Sequence, residues 1–492
     1  MRRTITPLFV FALSILVSVS ALELIPSAGT VSLLLTALLF SPARVLLATT
    51  RYRRGSLLLL SAAAGLVMGS ICCCRLAIRT NTVYTGIPAD DVSLLRGFAI
   101  RDSWADREKS LHRLSLVSVA RRSGQDWAGA RGEALISDRS GGVFHAGELI
   151  ELEACIHVRK GPIGRWYSGT TAGGASLGYS TAASRWRACI LADLEGRIDS
   201  LGAPASGLLK AVFLGRRRDL SGRLSQDLSR TGTVHFLALS GLHVGMLYAL
   251  VLLLLRPFRE CAAVWVLSVM LLAFYVFLAG YRVPLIRAFL ACAAGVCAAA
   301  LDRDRRPLNV LSLVLAAVVF LDPSSVFTVA FRLSFSAVAG ILLLGRNLSR
   351  MSEPYLPGAI RAPLCGAVGA QTASMPVVMH AFGVYYPIGL IATPLLLPTL
   401  AVFLWSGLLY IALTFCPLEV PREALRFLMS RIYGMMAFTA ARLSGVDGWR
   451  GGVTSAALLV ALGAAVLRSR LELTARGNTS GLAERKGSDS RE

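Results

Sequence analysis

The sequence predicts a polytopic α-helical membrane protein of about 12 spans, with a small extracytoplasmic β domain inserted after the third span. Three observations carry this reading. Of the 492 residues, 54% are hydrophobic and only 16% are charged, against roughly 25% charged in ordinary soluble domains. Apolar runs of the ~17 to 25 residues that cross a bilayer recur along the chain. One sizeable polar region, 78–230, separates three such runs from nine more.

The first three runs, near 5–22, 28–48 and 56–77, make an N-terminal membrane segment over 1–77. Arg2 and Arg3 precede the first run, and Arg44, Arg51, Arg53 and Arg54 lie between the second and third. The positive-inside bias puts both flanks in the cytoplasm, so the third span leads outward. A cleaved signal peptide ending near Ser20 or Ala21 is the other reading of the first run; the spans that follow almost at once argue against it.

Within 78–183, short alternating pieces such as Leu114–Ala120, Glu133–Ser137 and Glu148–Arg159 are separated by Gly and Asp turns. That pattern predicts a small β-barrel or sandwich. Over 184–230 the period becomes helical, with Trp186, Ile190, Leu194 and Ile198 on one face and Leu208, Leu209, Val212 and Phe213 on another. These are amphipathic helices that lie on the membrane surface or pack beside the spans. Cys155 and Cys189 both fall in the polar region, where they pair or stay buried as small apolar groups.

The second membrane block, 231–470, has runs near 232–255, 261–281, 285–301, 308–321, 326–345, 361–382, 387–416, 427–444 and 452–468. Arginine-bearing loops at 256–259, 303–306, 346–350, 422–426 and 468–470 are assigned to the cytoplasm, which brings both termini inside. Pro394 and Pro398 are candidates to break their run. The polar segment 471–492 reads as a cytoplasmic tail, disordered from Arg476 onward.

The net charge is +22, from 51 basic and 29 acidic residues. Positive-inside bias is the ordinary account of such an excess, and a path for a polyanion is the sharper one. Arg159, Lys160, Arg165, Trp166 and Tyr167 interleave basic and aromatic residues in the β region, as a single-strand-binding patch would. A solvated loop with an anchoring aromatic reads the same way. Arg216, Arg217 and Arg218 offer three guanidiniums that fit phosphates, or equally a lipid headgroup interface.

The densest chemistry lies in Thr231-Gly-Thr-Val-His-Phe-Leu-Ala-Leu-Ser-Gly-Leu-His-Val-Gly245. On one continuous helix, Ser240 and His243 are neighbours, and His235 lies about 80° from His243, so the three line a polar seam. Gly241 and Gly245 have the spacing that admits a close helix neighbour. Arg287, Asn309, Arg332, Gln371 and His380 also fall inside apolar runs and need partners there, whereas Arg282, beside Tyr281 and Pro284, reads as snorkelling to an interface.

This run resembles the signature of the ComEC family of competence channels. The likeness extends through Leu208–Leu220, Arg287-Ala288, Pro307–Leu311, Leu321–Pro323, Phe331–Gly340, Gln371–Pro376 and Phe382. The resemblance implies an OB-like fold for the β domain and a channel that carries single-stranded DNA across the bacterial inner membrane during natural transformation. On that reading His235, Ser240, Gly241, His243, Arg287, Asn309, Arg332 and Gln371 line the path. The partners implied are a surface or periplasmic DNA receptor, a separate nuclease and a cytoplasmic ATP-driven motor, since no phosphate-binding G-x-x-x-x-G-K-[ST] loop is present.

The chain departs from the family pattern at Arg332, where glutamine is usual, and at Thr393, where asparagine often stands. It also stops after its last apolar run, where many members continue into a metallo-β-lactamase-like domain. None of His112, His145, His157, His235, His243 and His380 makes the metal motif of that domain, so neither an enzyme nor a metal or other cofactor is expected here. A small-solute transporter is the main alternative. An intramembrane hydrolase with Ser240 activated by His243 is the weaker one, because no acidic residue accompanies the pair in its segment.

Overall fold

The computed structural model describes residues 84–449, short stretches apart, together with a few positions between 12 and 72. The expected runs at 28–48 and 452–468 and the tail lie outside the described residues, as do most of 5–22 and 56–77. The described part is mostly helical and carries a small β-barrel at its N-terminal side.

Five strands close the barrel: β1 (Leu94–Ala99), β2 (Lys109–Ala120), β3 (Glu133–Asp138), β4 (Glu148–Gly161) and β5 (Gly164–Tyr179). Their order around it is β1-β2-β3-β5-β4 and back to β1. All pairings are antiparallel except β3 with β5, which run parallel from Ala134 opposite Tyr167. This is an OB-like barrel. Strict alternation builds it: every second residue of β1 and β3 is buried, and Leu95, Leu114, Ile136, Ile150, Leu152 and Ile156 fill the interior.

A buried polar network shares that interior. His112 Nδ1 lies 2.8 Å from Ser103 Oγ and its Nε2 lies 3.3 Å from Asp138 Oδ2, while the ring meets Phe144 edge-on. Burial pushes the imidazole pKa down, and Asp138 only partly pulls it back.

The helical part begins at α1 (Ala182–Asp199), whose first turn is closed by a Thr181/Ser184 capping box. The face it buries is only partly the one expected: Ile198 is buried and Leu194 packs on the core, but Trp186 is not buried. Trp186 is 55% exposed and rests on Phe274 and Phe277, with centroids 6.0 and 6.4 Å away. Ser184, Arg187, Ala188 and Leu191 turn inward with Ile198. In this orientation Arg187 reaches Asp102 on the barrel.

After α1 come α2 (Ala205–Leu209), running into a π turn over Lys210–Leu214, and α3 (Gly222–Arg230). Leu208, Leu209 and Val212 are fully buried in the main helical core, packed against the apolar helices that follow.

The remaining helices are α4 (Gly241–Leu254), α5 (Ala262–Ala279), α6 (Val283–Ala300), α7 (Pro307–Leu321), α8 (Val329–Gly340), α9 (Arg346–Met351), α10 (Gly358–Phe382), α11 (Gly389–Leu413) and α12 (Glu419–Leu443). Among the described residues two helical stretches are long and apolar enough to cross a membrane, Val329–Met351 and Gly389–Leu413. α11 continues through Pro394 and Pro398. The run near 326–345 is two helices fused through a π turn over Ile341–Gly345. Around that turn α8 and α10 meet backbone to backbone: a Cβ on Gly369 would lie 2.6 Å from the Gly345 nitrogen and 2.7 Å from the Gly340 carbonyl oxygen.

Candidate functional site

The signature segment is not one continuous helix. Thr231 to Leu239 forms turns and a short 3-10 helix, Val234–Phe236, and α4 starts only at Gly241. Ser240 is its N-cap, so His235 and His243 do not share a helical face. The apolar residues Phe236, Leu237 and Leu239 prolong the hydrophobic run without being helical, and they are buried in the main core.

Ser240 and His243 form a capping box. Ser240 Oγ accepts from the Leu242 amide at 3.3 Å, and the Ser240 amide donates to His243 Nδ1 at 3.2 Å. Nδ1 also lies 3.0 Å from Ser240 Oγ. Accepting the amide makes Nδ1 the unprotonated nitrogen, so the proton sits on Nε2. Nε2 is buried and makes no well-formed hydrogen bond among the described residues, with the Phe236 carbonyl as its neighbouring acceptor. His243 is completely buried, and a buried polar group left unpaired is costly.

Arg287 comes to the same place from α6. A Cβ on Gly241 would stand 2.6 Å from Arg287 Nη2, so the guanidinium lies directly on the glycine. Its Nη1 donates to the Ser334 carbonyl of α8 at 3.2 Å, its face lies toward Phe335, and Nε is buried without a partner. No carboxylate lies within ion-pair distance of it among the described residues. Of the expected close-packing glycines, Gly241 makes the contact; Gly245 has open space around its Cα.

The other predicted path residues divide. Gln371 joins the approach to α4: its Oε1 accepts from Tyr385 at 2.7 Å, and its Nε2 would be 3.2 Å from a Cβ on Gly389, which also packs on the Thr231 carbonyl. His235 is exposed, its Nδ1 3.3 Å from the Gly232 carbonyl. Asn309, on α7, has a buried Oδ1 without a partner among the described residues. Arg332 donates Nε to the Val326 carbonyl at 3.3 Å. The single seam expected from one helix is therefore a junction of α4, α6 and α8, with Gln371 at a neighbouring loop contact.

On the barrel, the basic and aromatic residues fall on the β4–β5 hairpin, with Arg159 opposite Trp166 and Lys160 opposite Arg165. Arg159 is exposed and its Nε is 3.3 Å from Ser168 Oγ. Tyr167 corrects the sequence reading: it is 2% exposed and packs in the barrel core, so it presents no face to a strand. Cys189 is a free, exposed thiol on α1.

A cavity of about 780 Å³ opens where the barrel, the Lys210–Asp219 turn and the α5–α6 loop meet. Arg216, Arg217 and Arg218 all line it, as does Arg282. Arg216 pairs with Glu195 at 2.5 Å and donates to His145 Nδ1 at 3.0 Å. Burial, and then the Arg216 charge, push the His145 pKa down. Burial raises the Glu195 pKa, against the pull of Arg216.

Beside the cavity, Arg187 grips Asp102 with Nη1 at 2.7 Å and Nη2 at 2.6 Å. It also donates to the Phe277 and Leu278 carbonyls at 2.7 and 2.8 Å. Burial would raise the Asp102 pKa, but the bonds and charge of Arg187 take it below the usual carboxylate value. Asp102, Arg187, His145 and Glu195 were not candidates from sequence. The only signal was polar residues within apolar patterns, and Asp102 and Arg187 stand 85 residues apart.

These features define a helical protein with an OB-like barrel and a buried polar junction among its apolar helices. The family model described as Competence protein matches residues 212–471, more than half of the chain, and the chain belongs to that family. It is similar to recombination protein 2 of Haemophilus influenzae, 31% identical over 29% of this chain and 19% of that protein. It also matches ComE operon protein 3 of Bacillus subtilis, 27% identical over 36% of this chain and 22% of that one. Competence protein ComA of Neisseria gonorrhoeae is 31% identical over 42% of this chain and 31% of its own length. The matches thus span less than a third of each of these relatives. No solved structure matches.

Proposed function

We propose that this protein is a multi-pass inner-membrane channel that takes single-stranded DNA into the cytoplasm during natural transformation, its barrel on the extracytoplasmic side. The observation that carries the reading is the α4–α6–α8 junction inside the family-matched region. There Arg287 has no carboxylate partner and leaves its buried Nε–H unused among the described residues, and His243 lies beside it with no well-formed hydrogen bond from Nε2. A strand crossing apolar surroundings needs donors for its phosphates, because bare anions are prohibitively costly there. The OB-like barrel suits capture of single strands. A surface DNA receptor, a separate nuclease and a cytoplasmic ATP-driven motor complete the system, and the chain itself performs no covalent step.

Against the hydrolase alternative, the Ser240–His243 contact is a helix cap, and no acid orients the imidazole among the described residues: His243 Nε2 makes no well-formed hydrogen bond there. Transformation assays on variants at matched membrane abundance test the proposal. Ser240→Ala should keep appreciable DNA import, whereas Arg287→Glu should abolish it. Loss of activity in Ser240→Ala, with labelling of the wild type by a serine-reactive probe, would favour the hydrolase.

A further inference from the structure

The cations around the 780 Å³ cavity fall into two sets. Lys210 is clamped by Asp199 at 2.6 Å and Asp219 at 2.8 Å, and Arg216 by Glu195. Arg217 spends Nε on the Leu237 carbonyl at 3.0 Å, and Arg282 spends Nη2 on the Gly215 carbonyl at 3.3 Å. Arg218 has no hydrogen bond among the described residues, and none of these last three meets a carboxylate within ion-pair distance there. Each guanidinium carries five N–H donors, so most donors of the three are unspent.

The backbone brings this second set together. Gly215 takes φ +73°, which favours glycine, and a Cβ there would lie 2.9 Å from the Arg282 guanidinium carbon and against Leu239. The close turn sets Arg216, Arg217 and Arg218 beside Arg282 from the next helical hairpin. Among the described residues the lining holds no Phe, Tyr or Trp, and its one aromatic ring is the His145 imidazole, which is engaged by Arg216. It therefore offers mainly charge and forked donors.

We infer that this cavity is a phosphodiester-binding vestibule, in which Arg217, Arg218 and Arg282 hold the backbone of a single-stranded nucleic acid between the barrel and the membrane helices. The identity of the polyanion rests on the channel reading; the anion site itself does not. Contacts to phosphates carry no sequence information, so a vestibule that holds strands mainly through them suits a passage for arbitrary strands.

The test uses the full chain in zwitterionic detergent with a short fluorescent oligothymidylate, titrated at several salt concentrations. The variants are Arg217→Gln/Arg218→Gln, both at exposed side chains, and the triple variant that adds Arg282→Gln. Every arginine that no longer neutralises a phosphate makes the logarithmic salt slope shallower by about 0.7, so the triple variant should have a slope smaller by about 2 and bind weakly at low salt. Binding by the double variant with wild-type affinity and slope overturns the vestibule while leaving the channel reading intact. If the wild type binds inorganic polyphosphate through these arginines but not the oligonucleotide, the anion site holds and the channel reading falls. If the substitutions change only retention of anionic lipid, the site belongs to a headgroup and the inference is overturned.

Discussion

At the residue scale, the signature glycine and arginine work as a pair. Gly241 has no side chain where Arg287 Nη2 would meet one at 2.6 Å, so Gly241→Ala must push the guanidinium off the start of α4. We expect Gly241→Ala to reduce transformation strongly at near-normal membrane abundance. Transformation frequency compared with immunoblotted membrane levels checks it, and wild-type frequency would show that Arg287 does not need that position. Part of this junction was legible in sequence, because ionisable residues in apolar runs stand out. The start of α4 was not: Phe236, Leu237 and Leu239 continue the hydrophobic run, and a cap that uses histidine at its third position lacks the usual acidic signal. Tyr167 misled for the opposite reason. Its neighbours Arg165 and Trp166 suggest a surface patch, but strand alternation and pairing with Ala134 and Val158 carry Tyr167 into the core.

His112 gives the barrel a pH dependence with a definite sign. Its folded pKa lies below the ordinary 6.5 because burial disfavours the imidazolium, and His145 is lowered likewise. The unfolded chain therefore takes up protons first as pH falls. Stability is full above about pH 6.5 and is lost as pH drops toward the folded values. Thermal unfolding of the full chain, followed by tryptophan fluorescence, should show a melting temperature that declines below pH 6.5. His112→Gln should flatten part of that decline. A melting temperature independent of pH between 7 and 5 would contradict the assignment.

At the element scale, the barrel was the most legible part, because alternation is a local signal and five strands of it leave few ways to close. The helix runs were legible as positions, though several helices are shorter than the runs that announce them. What sequence spacing could not give was the partner of each helix. The α8–α10 crossing depends on Gly340, Gly345 and Gly369 meeting across the π turn, and nothing local in either segment names the other. A Cβ at Gly369 would strike two backbone atoms of the facing helix, which cannot move aside as a side-chain end can. Gly369→Ala should therefore force the helices apart and lower the yield of folded protein extracted from the membrane. Size-exclusion profiles of the variant check this, and an unchanged profile at equal yield would show the crossing to be adaptable.

At the scale of the whole molecule, a largely buried ion pair joins the barrel to the helices. Asp102 belongs to the barrel, Arg187 to α1, and the Phe277 and Leu278 carbonyls to the end of α5, so a single guanidinium fastens three elements. Arg187 is 4% exposed and the Asp102 side chain 14%, which makes the pair a buried one. Removing one partner from such a pair costs about 3–5 kcal/mol, because the other charge is left uncompensated. Since Arg187 also holds Asp102 below its usual pKa, the pair stays charged through neutral and mildly acidic pH, and the fastening persists there. Arg187→Ala should loosen the barrel from the helices without unfolding the barrel's own core, which lies in a separate cluster around Leu114, Ile136 and Ile150. Limited proteolysis of the full chain should then cut between Tyr179 and α1 faster than in the wild type, and leave an intact barrel on the N-terminal fragment. The exchange Asp102→Arg with Arg187→Asp should not restore resistance, because an aspartate at 187 cannot donate to the Phe277 and Leu278 carbonyls. Full recovery in that double variant would mean that charge pairing alone, and not the carbonyl bonds, fixes the barrel above the helices.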